Sequence, residues 1–360
     1  MSDFGAGNPV AYSNKRVALH DISNSSSRPS IDEEKKQSVK EVKPDLRPRH
    51  SNNVNTNDSS PRGPFNFSDS NQTSSSRSWK DVDAPHADNP LECTIYVNDI
   101  YSHLRKIEGK SRPSDSYMEN VQRDISHAMR GILVDWMVEV AEEYKLSSDT
   151  LFLTVNLIDR ILSQYTCARS TLQLVGITCM LIAAKYEEIY APNVDDFCYI
   201  TDNTYARLQV LEMERKVLNM LGYNVGTPTV KTFARRYLRV AESTMDDRLD
   251  LLVCFLCELT LLEYTFLKFT PSQIAASAVL LANYQLGKPC WTNTLFHFTG
   301  YQPSYLQECV KVLYQVHVES MQSTQSLPAV REKYNNPNLR SIASYPIKGF
   351  NSSRMFQDIE

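Results

Sequence analysis

The residues able to do chemistry are spread along the chain, and few fall at spacings that catalysis or metal binding uses. Cys254 and Cys257 form a C-x-x-C, the spacing of a thiol redox pair or of half a zinc site. There is no second C-x-x-C and no His within ligand spacing, and the surrounding DLLVCFLCELTLLEY reads as one apolar helix. Two thiols on a buried helix face are therefore expected. The seven histidines are isolated from any nucleophile they could activate. Of 11 glycines, only Gly5 and Gly7 make a G-x-G, and no phosphate-cradling loop follows it. The carboxylate pairs Glu142–Glu143 and Asp195–Asp196 fall at helix ends, where solvated charge is ordinary. No active site, cofactor or metal is expected.

Two other sets suggest recognition. Lys185 ends the apolar run Leu174 to Ala184, and Glu214 sits within a helix whose other face carries Leu208, Leu211, Val217, Leu218 and Leu221. A lysine that close to buried chain needs a partner; spacing alone leaves a solvated pair and a docking pair equally open. Met129, Ile132, Leu133 and Trp136, with Glu139, cover more of one helix than a single buried stripe. Some of that surface must stay outside, and a tryptophan beside a carboxylate suits a peptide-docking patch; simple core packing is the alternative, most of all for Leu133.

The elements that position these residues are helical throughout. Ile95, Ile100, Leu104 and Ile107 predict a helix that stops near Gly109, and Ile125 to Val140 a more strongly amphipathic one. Further helices are predicted at about 149–164, 171–189, 193–199 and 204–221, capped by Ser148 or Asp149 and by Asn203 or Thr204. After Gly222 and Gly226-Thr227-Pro228 a second run covers about 228–241, 247–264, 271–284, 291–298 and 302–322. Two sets of five helices predict an all-α fold of duplicated domains, 125–225 and 226–325, behind a helix and linker over 91–124. Residues 326–360, with Pro328, Pro337 and Pro346, are expected to form an extended tail.

Composition narrows the class. Residues 1–90 hold 17 Ser and 10 Asn but only 13 Val, Leu, Ile and Phe, too few to offset chain entropy, so disorder is expected there. The net charge of the chain is −4 and no folded part is strongly basic, which argues against direct nucleic-acid binding. Eight scattered cysteines are expected to be reduced thiols of an intracellular protein. No signal peptide is read at the N-terminus, and the longest apolar run falls short of the ~18 residues a membrane span needs, so a soluble chain is expected.

The stretch Met129-Arg-Gly-Ile-Leu-Val-Asp-Trp-Met-Val-Glu-Val140 closely resembles the M-R-A-I-L-V-D-W-L-V-E-V of mitotic cyclins. Leu172-Gln-Leu-Val-Gly176, Ala184-Lys-Tyr-Glu-Glu-Ile189, Tyr199-Ile-Thr-Asp-Asn-Thr-Tyr205 and Leu211-Glu-Met-Glu-Arg215 agree with that family in order and spacing. The resemblance covers about 91–325 and runs nearest to A-type cyclins. It departs at Gly131, where Ala is usual, and at Tyr186, where Phe is common. It implies two tandem cyclin boxes and a non-catalytic subunit that binds and activates a cyclin-dependent protein kinase. Lys185, Tyr186 and Glu214 would face the kinase's regulatory helix, while Tyr96 and Ile100 would brace its large lobe. Met129, Ile132, Leu133, Trp136, Glu139, Leu172 and Gln173 would form the groove for Arg-x-Leu substrates and inhibitors. There the apolar side chains seat the Leu, Glu139 pairs with the Arg, and Gln173 bonds the peptide backbone.

R-x-x-L occurs six times, at Arg16, Arg130, Arg169, Arg215, Arg235 and Arg248, and five of these lie in predicted helices. Only Arg16-Val-Ala-Leu19-His-Asp-Ile22-Ser-Asn24 lies in polar chain and adds the Asn of a cyclin destruction box, implying a mitotic ubiquitin ligase as partner. Lys35, Lys36, Lys40 and Lys43 are equally a diffuse nuclear-import signal or a solvated run, and a nuclear protein with some cytoplasmic population is expected. Ser60-Pro61 is a minimal proline-directed phosphorylation site. The rivals are a B-type-like cyclin, a cyclin-fold transcription factor, which calls for a zinc ribbon and a basic face, and a helical scaffold with no kinase contact.

Overall fold

A computed structural model describes residues 79–242, 247–322 and 327–358. The destruction-box residues, the lysine run and Ser60 lie outside the described residues. Two five-helix bundles follow a short entry helix, and no strand occurs among the described residues. The entry helix is α1 (Val97–Ile107), and α2 (Tyr117–Asn120) is a single turn. The first bundle holds α3 (His127–Glu143), α4 (Ser148–Leu162), α5 (Leu172–Glu187), α6 (Val194–Ile200) and α7 (Arg207–Met220). The second holds α8 (Val230–Val240), α9 (Arg248–Leu262), α10 (Pro271–Leu286), α11 (Asn293–Thr299) and α12 (Gln307–Ser320).

Each bundle is built around a helix that is apolar on every side, as a fully surrounded helix must be. In the first this is α5, buried without a break from Leu174 to Ala184 and packed by α3, α4 and α7. In the second it is α10, enclosed by α8, α9 and α12. Two starts differ from the sequence expectation. Ser147, one residue earlier than expected, caps α4 by accepting from the Thr150 N–H at 3.2 Å. Helix α7 begins only at Arg207, because Asp202 and Asn203 both adopt the left-handed conformation and spend residues 201–204 on a turn.

Residues 79–92, which composition assigns mostly to a disordered tail, are held in place. Asp83 takes both guanidinium nitrogens of Arg236 at 2.6 Å, Glu92 pairs with Arg239, and Trp79 stacks on His297. The extended C-terminal tail is likewise corrected. α13 (Ala329–Tyr334) wedges against α3 and α9, and α14 (Ser352–Met355) returns to α10. Its polar residues find fixed partners: the Ala329 N–H donates to Asp135, and the Tyr334 hydroxyl donates to the buried Glu258 at 2.8 Å. Lys333 bridges Glu258 on α9 and Glu142 on α3, tying the two bundles together. A Cβ at Gly131 would meet the Leu327 side chain at 3.1 Å, so alanine, the better helix former, would require that side chain to shift.

His317 on α12 is buried with neither ring nitrogen hydrogen-bonded, its ring lying across Phe255. Burial pushes its pKa down to about 4. The unfolded chain therefore takes up this proton below about 6.5 while the folded one does not, so stability falls as pH drops from 6.5 towards 4 and the loss levels off below that. The full effect is about 3 kcal/mol. Urea titrations at pH 7 and pH 4.5 should show it, and His317→Phe should remove that portion of the acid loss; an unchanged pH slope in the variant would refute the assignment.

Candidate functional site

The apolar run of α5 reaches the surface at its last turn, and there Lys185 Nζ lies 2.5 Å from Glu214 Oε1 on α7. The lysine side chain is 48% exposed and the glutamate 14%, so the pair closes the helix–helix seam and still faces solvent. Tyr186 next to it is exposed, and so are Ile189 and Tyr190 just beyond the helix, Leu208 at the start of α7, and Tyr223. The Tyr186 ring crosses the turn between the bundles so closely that a Cβ on Gly226 would come within 2.2 Å of its hydroxyl. Exposed apolar side chains of this size are the kind of surface that marks sites of protein contact. Leu208, expected on the apolar face of its helix, is 71% exposed, and Tyr190 and Tyr223 carry no sequence signal that separates them from core residues.

Tyr96, at the N-cap of α1, and Ile100, in its first turn, are also exposed. Helix α1 starts at Val97, so Ile95 and Tyr96 precede the helix in which they were expected.

The second set forms one stripe on α3. Met129, Ile132, Trp136 and Glu139 recur at helical spacing and are each half-buried, with Gln173 half-buried at the start of neighbouring α5. Leu133 and Leu172 are corrections, because both are core residues with no surface to offer a peptide. Leu133 is spent packing α3 on α5: its methyl carbon sits 2.8 Å from where a Gly176 Cβ would be, so the glycine permits the helix contact. The part of this set that reaches the surface is thus three apolar side chains with a carboxylate further along the helix and an amide on the neighbouring one.

The strongest electrostatic feature went unnoticed in the sequence. Arg130, next to Met129, turns inward and is fully buried; its Nε and Nη2 meet the two carboxylate oxygens of Asp159 at 3.0 and 2.7 Å. Its Nη1 donates to the Leu261 carbonyl at the end of α9, and the Tyr117 hydroxyl donates to Asp159 at 2.8 Å. Burial alone would lower the Arg130 pKa, but the facing Asp159 carboxylate overrides it and holds the guanidinium charged. Opposite charges set inside the apolar runs MRGILVDW and NLIDRIL are the signal that could have revealed the pair.

Cys254 and Cys257 lie buried on α9, with Lys231 Nζ 3.1 Å from the Cys254 sulfur. Burial pushes both thiols up, which keeps them protonated and unreactive.

Family models of the cyclin N-terminal domain and the cyclin C-terminal domain match residues 99–226 and 228–348. Cyclin-A1-1 of Oryza sativa subsp. japonica is 49% identical over 283 residues, 77% of this chain and 55% of its own length. Cyclin-A2-1 of Arabidopsis thaliana is 50% identical over 271 residues, 73% and 60% of the two chains. Putative cyclin-A3-1 of Arabidopsis thaliana is 44% identical over 284 residues, 78% and 79%. The chain spans little more than half the length of the rice relative. A viral cyclin from herpesvirus saimiri has the same fold, with a TM-score of 0.53 at 19% identity over 59% of this chain and 95% of its own. The two family matches meet at the glycine turn between the bundles and together cover both, and on that ground the chain belongs to the cyclin family, with its similarity running to the A-type members.

Proposed function

We propose that this chain is a non-catalytic regulatory subunit that binds and activates a cyclin-dependent protein kinase and thereby controls cell-cycle progression. The observation that carries this reading is the Lys185–Glu214 pair, held at the solvent end of a helix buried from Leu174 to Ala184, with Tyr186, Ile189 and Tyr190 exposed just beyond that run. Activation is a population shift. The patch binds the inward position of the kinase's regulatory helix, and that position completes the Lys–Glu pair on the ATP phosphates. The rival transcription factor lacks support, since the first bundle is acidic and no candidate metal cluster occurs among the described residues. Co-purification with a candidate kinase, followed by a histone-phosphorylation assay, tests the reading; no stimulation of any such kinase would end it.

The α3 stripe is read as the dock for Arg-x-Leu substrates and inhibitors, with Met129, Ile132 and Trp136 seating the Leu and Glu139 meeting the Arg. Trp136→Ala should leave activity on a short peptide lacking the element nearly intact. It should raise the KM for substrates carrying the element roughly thirty-fold, the equivalent of an aromatic anchor worth about 2 kcal/mol. Equal losses on both substrate types would make Trp136 structural. Arg16, Leu19, Ile22 and Asn24 are read as the destruction box through which a mitotic ubiquitin ligase removes the protein, and nuclear residence is part of the same proposal.

A further inference from the structure

Entry helix α1 does not lie flush against the second bundle. Between it and helices α8 and α11 is a cavity of about 220 Å³, walled by the rings of Tyr101, Phe233, Tyr237 and Phe298. An apolar cavity of roughly 150 Å³ accepts benzene, so this one has room for an aromatic ring with a short polar arm. The walls are fixed in advance. Arg236 lies over the Tyr101 ring at 5.4 Å and over the Phe298 ring at 4.8 Å, and its two bonds to Asp83, both 2.6 Å, hold it there. Arg105, also in the lining, donates to Glu108 at 2.8 Å with its guanidinium over the Tyr301 ring. These two arginines are each met by a carboxylate. Lys106, the exposed cation of the same lining, has none within ion-pair distance among the described residues. The cavity therefore carries a surplus of positive charge.

Tyr237 is the polar group that the packing leaves over. The residue is only 2% exposed, yet its hydroxyl makes no hydrogen bond to any described residue. Buried hydroxyls nearly always have a partner, and one without it costs stability. Burial pushes its pKa well up, which keeps it a proton donor, and Arg105 and Glu108 of the same lining are among the charges that act on it. We propose that this cavity binds a small aromatic carboxylate, with its ring among the four aromatic side chains and its carboxylate accepting from the Tyr237 hydroxyl under the positive charge of Arg105 and Lys106. Water would satisfy the hydroxyl but gain nothing from the rings, and a neutral arene would use the rings but leave the hydroxyl unmet. An aromatic monoanion uses both and matches the surplus charge. Apolar walls with a few convergent polar groups are the usual make-up of a small-molecule site, and this site does not depend on the kinase-binding reading above.

The test titrates the full chain with three probes of one shape: phenylpropionate, phenylpropionamide and phenylpropylamine. The acid should bind saturably, the amide roughly ten-fold more weakly, and the amine not measurably. Tyr237→Phe removes only the hydroxyl, so it should weaken the acid roughly ten-fold or more and leave the Tm unchanged or higher, since no bond within the protein is lost. Lys106→Gln should weaken the acid several-fold and leave the amide as it was. Ser102→Phe, on the α1 side of the cavity, should block all binding with the helical circular dichroism unchanged. Failure of the acid to saturate overturns the proposal. So does equal binding of acid and amine, which would make the cavity an apolar space with no preference for anions. Unchanged acid binding in both Tyr237→Phe and Ser102→Phe would place the probe elsewhere on the chain, with the same consequence. A Tyr237→Phe protein that binds normally but melts several degrees lower would show the hydroxyl to be structural and end the assignment.

Discussion

Asp159→Asn should destabilise the protein by about 3–5 kcal/mol and lower the Tm by roughly 6–20 °C. The substitution is nearly isosteric, so the cost comes from charge. Arg130 would keep its buried guanidinium, held between α3, α4 and the Leu261 carbonyl, with no anion opposite it. The Tyr117 hydroxyl would lose a charged acceptor as well. The complementary variant, Arg130→Met, should cost a similar amount by leaving the carboxylate alone. Combining Arg130→Met with Asp159→Leu should recover much of the loss, because a buried ion pair is worth little more than the apolar side chains that could replace it, whereas half of one is expensive. Calorimetry of wild type, Arg130→Met, Asp159→Leu and the combined variant makes the double-mutant cycle. Single variants each losing under about 1 kcal/mol would show that water reaches the pair and screens it.

The helix pattern was the most legible part of this chain. Apolar periodicity located every helix of both bundles, because the most deeply buried helices read as long apolar runs and the more exposed ones as amphipathic stripes. What periodicity could not separate was floor from surface on α3. Leu133 and Trp136 are three residues apart and share a hydrophobic character, yet Leu133 is spent on the approach of α3 to Gly176 and Trp136 is not. That difference depends on a glycine in another helix, which no reading of α3 alone contains. The ends were misjudged for a related reason. Averaged composition made 79–90 part of a polar tail and 326–360 an extended one. Asp83, Glu92 and Lys333 are polar residues whose partners, Arg236, Arg239 and Glu258, lie at least 75 residues away in sequence. Those long-range ion pairs help fix both segments, and in the C-terminal one Val330, Tyr334, Ile342 and Met355 also enter the core. The Lys185–Glu214 pair was anticipated because a lysine ending a buried run demands a neighbour. Arg130 makes the same demand from inside a helix, where apolar residues on both sides leave its partner on α4 unmarked by spacing.

Lys185→Ala should abolish kinase co-purification and stimulation while changing the Tm by no more than a degree or two. The two halves of that expectation come from the same geometry. In the isolated chain Lys185 is about half exposed, and an ion pair so open to water is worth at most about 1 kcal/mol, so the fold barely depends on it. A kinase docked on Tyr186, Ile189 and Tyr190 would exclude that water. The lysine and Glu214 then become enclosed charges, and removing one of two such partners at an interface typically costs 2–5 kcal/mol, or a factor of about 30 to several thousand in Kd. Glu214→Ala should be as damaging, since it leaves Lys185 without its fixed neighbour just when solvent is withdrawn. Glu214→Gln should lose less, keeping a hydrogen-bond acceptor beside the ammonium. Titration calorimetry against the kinase separates these outcomes, and unfolding curves supply the control. A Lys185→Ala protein that melts normally and still binds would leave the pair as a seam between α5 and α7 and nothing more. One that both melts early and fails to bind would mean that exposure understates how far α7 relies on the contact.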